Sequence, residues 1–147
     1  MKAEEVIIDA VIEASRKLPI EAVKALEKAR EEENGNSKVV LNAILDNLAL
    51  AEKLEIPLCQ DTGMMWCWAE IGRNARLDIV KLEKLINSSL SKAFKKGLFR
   101  TSVVSDVMGE RKNTGDNLPA VINYSLTSGS DITLHFLLKG SGSENCS

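Results

Sequence analysis

The sequence predicts an α+β fold: a helical N-terminal layer packed on a small mixed or antiparallel β-sheet, in a single domain. Three observations predict it. From the start to about Leu54, apolar residues recur at three- and four-residue spacing, the signature of amphipathic helices. Beyond Leu54 the pattern turns to short apolar runs bounded by Pro, Gly and polar clusters, which read as strands, with one further helical stretch between them. Finally, the 147 residues are 44% hydrophobic but only 4% aromatic, which suits one aliphatic core that folds without disulfides or metal.

The elements follow in order. Val6, Ile7, Ala10, Val11, Ala14 and Leu18 form the apolar face of a first helix, which Pro19 interrupts. A second helix places Ala22, Val23, Leu26 and Ala29 inward, and Gly35 with its neighbouring Asn residues reads as its stop. Ser37 is then the candidate N-cap of a third helix, whose buried stripe is Val40, Ala43, Ile44, Leu48 and Ala51. Residues 56–58 are extended because Ile56 precedes a proline. The run 64–71 (MMWCWAEI) suits a covered strand. Asp78 caps a fourth helix that reaches about Lys96, with Ile79, Leu82, Leu85, Ile86, Ala93 and Phe94 inward and Gly97 as its stop. Residues 98–119 have little periodicity and form a long polar segment of a kind that is usually functional or disordered. Two strand-like runs, 120–126 and 132–138, with a polar loop at 127–131, read as an antiparallel hairpin. In the second run Ile132, Leu134, Phe136 and Leu138 share one face.

Composition also narrows function. With 19 basic and 21 acidic side chains, the net charge of -2 shows none of the basic surplus expected of a nucleic-acid or anionic-membrane binder. No apolar run approaches the roughly 18 to 20 residues of a membrane helix. Acids run through the apolar N-terminal stretch, unlike a secretory signal, and three cysteines without such a signal point to a reducing cytoplasm.

Four features could carry chemistry. CQDTG, residues 59–63, sets a lone thiol beside an amide, a carboxylate and a hydroxyl, a soft metal ligand with hydrogen-bonding neighbours; its plain alternative is an ordinary turn. In the long segment, Arg100, Arg111, Lys112, Asn113 and Asp116 include arginines able to clamp a carboxylate, or simply form a solvated loop. KGSGSEN, residues 139–145, is a glycine-rich loop after a strand, able to bring backbone N–H groups to an anion or to serve as a flexible connection. His135, the single imidazole, sits off the apolar face of a strand and reads as a half-exposed structural residue. Cys59, Cys67 and Cys146 lack the short spacings of ferredoxin-like cluster ligands, and Cys67 lies between two Trp in an apolar run that suits a buried thiol.

Together and in this order, PLCQDTG, RKNTGDNLPA and KGSGSEN resemble the N-terminal part of class I, iron–sulfur-dependent fumarate hydratases and the related L-tartrate dehydratase α subunit. The preceding helices and the GLFRTSVV stretch fit as well, so the resemblance runs through most of the chain. It implies a hydro-lyase that hydrates fumarate to L-malate, with a [4Fe–4S] cluster as Lewis acid; dehydration of L-tartrate is the alternative. It implies Cys59 as a cluster ligand, and Gln60, Asp61 and Thr62 lining a small-dicarboxylate site with Asp61 and Thr62 in catalysis. Arg100 would meet a substrate carboxylate, Gly142 would set backbone against the substrate, and residues 113–117 would help to shape the pocket. It further implies a β subunit or C-terminal domain as partner, in a dimer or heterotetramer. The family's other cluster cysteines lie well downstream of the glycine-rich loop, so the expectation is a domain incomplete at its C-terminus and inactive alone, or else a scaffold without metal. Cys67 and Cys146 take no role from the resemblance.

Overall fold

The structure is a computed structural model that describes residues 2–140. Its elements are α1 (Ala3–Arg16), α2 (Ile20–Glu32), α3 (Gly35–Leu54), β1 (Met64–Gly72), α4 (Ile79–Lys96), β2 (Val121–Thr127) and β3 (Ile132–Lys139). This is the expected α+β arrangement, with a mixed sheet in the order β2-β1-β3.

β1 is the hub. Met65, Cys67, Ala69 and Ile71 alternate along it and are all buried, as period-two side-chain alternation requires of a strand with one covered face. β3 lies antiparallel beside it, setting Leu138, Phe136, Leu134 and Ile132 opposite those four residues. Of the shared face expected in β3, Leu134, Phe136 and Leu138 pack against the core, and Ile132 at the start of the strand stays exposed. α1 and α4 cover it, and Ile7, Val11, Leu82, Ile86, Leu90 and Phe94 join the sheet residues in one continuous core. At the start of α4, Asp78 caps as expected, its carboxylate accepting from Lys81 N at 3.2 Å.

The expected hairpin of the last two strands is corrected. β2 pairs with the other edge of β1, parallel to it, so that Cys67 faces Ile122. The physical reason lies in β1: a strand this deeply buried needs both rows of backbone groups paired. The loop after β2 is long enough to pass over the end of β1, where Gly72 N donates to Asp131 O, Arg73 N to Thr127 O and Asn74 N to Gly129 O. Gly72 permits the crossing, because a Cβ there would stand 2.6 Å from Gly129 O.

Helix faces also shift from expectation. In α1 the core side is Ile7, Val11, Ile12 and Ser15, while Val6, Ala10, Ala14 and Leu18 are exposed. α3 starts at Gly35, not after a Ser37 cap; Gly35 itself takes a φ of +58° and turns the chain out of α2. The inward side of α3 is Leu41, Leu45, Leu48 and Ala51, and Val40, Ala43 and Ile44 face out. In α4, Ile79 is exposed and Ser89 and Leu90 take buried places instead.

Candidate functional site

The site grows from two polar segments that the core holds in fixed places. The first follows α3. Glu55 ends that helix in the left-handed region, Leu58 N donates to Ser15 O at 2.8 Å, and Asn47 Nδ2 donates to Leu58 O at 2.9 Å. These bonds tie residues 56–58 to α1 and α3 and leave Cys59 and Gln60 exposed, with Asp61 half-buried and Thr62 buried. Gly63 then enters β1 with a φ of +66°, and a Cβ there would collide with the backbone of Lys139. Only glycine allows this approach. It carries the loop against the end of β3, where a Cβ on Gly140 would lie 3.2 Å from Asp61 O. The first glycine of the glycine-rich segment is thus packed on the CQDTG loop. Gly142 and Cys146 lie outside the described residues.

The second segment follows α4. Phe99 is driven into the core and meets Phe94 edge-to-face at 5.2 Å, which anchors its exposed neighbour Arg100. Arg100 N donates to Thr62 Oγ1 at 3.2 Å, and Ser102 Oγ lies 3.5 Å from Asp61 Oδ1. A cleft of 440 Å³ opens between the two segments, with Cys59, Gln60, Thr62 and Arg100 on its walls and Asn47 and Leu98 at its edge. The larger depression, 690 Å³ between α1 and the ends of α3 and α4, mixes Asp9, Glu13 and Glu52 with Arg16, Lys17 and Lys96 and presents no nucleophile.

The rest of the long segment is ordered by pairing with its own backbone. Val104 bridges to Asn113, Ser105 N donates to Lys112 O at 2.8 Å, and Thr114 N to Val103 O at 2.9 Å, folding residues 103–114 back on themselves. Ser91 Oγ ties Asp116 to α4 at 2.8 Å. The structure therefore brings Cys59, Gln60, Asp61, Thr62 and Arg100 together. It gives Asn113 and Asp116 folding roles and leaves Arg111 and Lys112 exposed on the folded-back segment. Sequence reasoning missed Ser102, a common residue type in a region without periodicity. His135 is exposed and lies 3.5 Å from Glu70, in keeping with a structural residue.

The two described cysteines have opposite environments. Cys59 is an exposed free thiol on the cleft wall; Cys67 is buried in β1, and burial pushes its thiol from 9.0 up to about 11. A metal ligand must be a thiolate, so the donor set of this cleft contains Cys59 and not Cys67. Among the described residues no group of three or more His, Cys, Asp or Glu side chains could hold a metal ion. Cys59 is the one exposed thiol among the described residues. No helix among the described residues is long and apolar enough to cross a membrane.

Comparison with known proteins bears on the whole chain. Residues 4–147 match the model of the family described as fumarate hydratase (fumerase). The chain is 34% identical to the "Putative L(+)-tartrate dehydratase subunit alpha" of Methanocaldococcus jannaschii, over all of this chain and 53% of that protein. It is 27% identical to the "Putative fumarate hydratase class I" of Geobacillus stearothermophilus, over 98% of this chain and 28% of that protein. It is 25% identical to the L(+)-tartrate dehydratase subunit alpha of Escherichia coli UTI89, over 96% of this chain and 47% of that protein. The chain thus spans about half the length of these α subunits and a smaller share of the class I protein.

Proposed function

The chain belongs to the fumarate hydratase family, and from that premise we propose that it forms the dicarboxylate-binding part of a hydro-lyase that adds water to fumarate to give L-malate. The observation that carries the reading is the bond between Thr62 Oγ1 and the backbone N–H of Arg100, which puts a hydroxyl and an arginine on one cleft, with Asp61 next to Thr62 in the loop and its Oδ1 3.5 Å from Ser102 Oγ.

The chemistry asks for those groups. Hydration across a double bond between two carboxylates builds negative charge next to carbon, and a positioned cation and hydrogen-bond donors lower the energy of that state. Arg100 offers two parallel N–H donors to one carboxylate. Thr62 Oγ accepts from Arg100 N and still has its own proton to donate to substrate. Asp61 moves the proton at carbon, as base in one direction and acid in the other. Gln60, exposed on the cleft wall, supplies an amide to the second carboxylate. Cys59 is the one ligand that the described residues offer to a [4Fe–4S] cluster, whose bound form supplies a Lewis acid; the remaining thiolates come from outside residues 2–140. The partner is then a β subunit or C-terminal domain, in a dimer or heterotetramer working in the cytoplasm.

L-tartrate is the second substrate reading, supported by the α subunits that carry that name among the similar proteins. A third reading, a scaffold without metal, draws on the single exposed thiol among the described residues. The test is anaerobic cluster reconstitution and assay of the chain, alone and co-purified with its partner subunit. The expected outcome is no stable cluster alone, and a cluster plus activity on fumarate or tartrate in the complex. Cys59→Ser should abolish the cluster's visible absorbance and Cys67→Ser should leave it. A complex inactive on both substrates would overturn the enzyme reading.

A further inference from the structure

We propose that Asn117 is the positioning residue that fixes the Asp61–Thr62 loop against the Arg100 segment. The inference rests on the reading that these two segments form the substrate site. Asn117 is fully buried, and its carboxamide is used at both ends. Its Oδ1 accepts from Ser102 N at 2.8 Å and Val103 N at 3.0 Å, while Nδ2 donates to Gly63 O at 2.7 Å and Arg100 O at 3.1 Å. Two donors and two acceptor sites are the full capacity of a primary amide, so the group is saturated. The partners also fix which way it points: a reversed amide would set NH2 against two N–H groups and oxygen against two carbonyls.

The other links between the segments are longer. Arg100 N to Thr62 Oγ1 is 3.2 Å and Ser102 Oγ to Asp61 Oδ1 is 3.5 Å, whereas the Asn117–Gly63 bond is 2.7 Å and buried. Asn117 is held in turn by its own N–H, which donates to Thr114 Oγ1 at 2.9 Å, and by a φ of +55° that Asn tolerates better than most residues. No other side chain meets these requirements. Asp lacks the donors, Leu has the volume and no polar end, and Gln is one methylene too long. Asn117 acts on the site through the backbones of Gly63 and Arg100. Its loss frees the two halves to drift, and a displacement of about 1 Å costs on the order of a hundredfold in rate.

Asn117→Asp is the discriminating variant, because it keeps the shape and the acceptor end and removes both donors. NMR hydrogen exchange on the chain should show the Ser102 and Val103 amides still protected. The Arg100 amide should exchange about tenfold faster, since its partner Thr62 is no longer held. In the active complex, kcat should fall about a hundredfold while KM changes less than about threefold. In the wild-type chain the Asn117 side-chain amide protons should exchange slowly and couple to the Gly63 and Arg100 carbonyls, a measurement that needs no variant to fold. Fast-exchanging side-chain protons, unchanged Arg100 protection or an unchanged kcat would each overturn the proposal. A wild-type complex without hydro-lyase activity would sink the functional reading instead, and the exchange data would still decide the role of Asn117.

Discussion

α4 and α3 are both long amphipathic helices, yet they end in opposite situations. α4 buries Leu82, Ile86, Ser89, Leu90, Ala93 and Phe94 against α1 and the sheet. α3 fully buries only Ala51 and packs on α2, which buries no residue completely. Val39, Val40, Leu50 and Leu54 stay exposed along it. The difference teaches that an apolar stripe specifies a helix and a face but not the partner of that face. α4 lies where the sheet needs a cover; α2 and α3 mostly cover each other. What α3 does hold is the start of the site loop, through Asn47 and its own left-handed end at Glu55.

Matched truncations should break this comparison if it is wrong. Leu90→Ala, at a position with no exposure, should cost about 3 to 4 kcal/mol in urea unfolding, the transfer loss plus a cavity. Leu48→Ala, half-buried between α2 and α3, should cost about 1 kcal/mol. Equal costs would mean that the helical pair is as tightly built as the body.

The next effect is a pH dependence that the buried thiol of the body carries. Between pH 9 and 11 the Cys67 thiol stays protonated in the native chain while the unfolded chain ionises. The unfolded state then binds fewer protons, so stability falls as pH rises through this window, by at most about 1.4 kcal/mol per unit, and the contribution is absent below pH 9. Tyr124, raised by burial and by the Glu83 charge, acts in the same direction. Cys67→Ala should flatten most of the slope in a series of melts across this range; an unchanged slope would show that the thiol is not buried as described.

The smallest effect sharpens the other side of the comparison. Val40→Lys on the exposed face of α3 should leave stability within about 0.5 kcal/mol. A larger loss in the same urea assay would reveal a partner for that face.

Much of the site was legible locally. Cys59 as an exposed thiol and Cys67 as a buried one follow from a polar loop and an alternating apolar run, and Asp78 from the cap rule. Arg100 and Thr62, by contrast, are neighbours only because Phe99 and Gly63 pin their segments, and nothing in either segment announces the other. Asn117 stands in the sequence only as the last residue of the 113–117 segment, and its role emerges when four backbone partners from two distant loops close around it.

By itself the sequence determined the α+β class, the order of the elements, the inward face of β3 and the residue types of the cleft, because these depend on short-range periodicity and on turn and cap chemistry. Only the tertiary structure decided that β2 and β3 flank β1 and do not form a hairpin, and which stripe of each helix is covered. It alone joined loop 59–63 to residues 100–102. Those choices turn on pairing both edges of one buried strand and on satisfying one buried amide, and both demands arise only once distant segments share the same space.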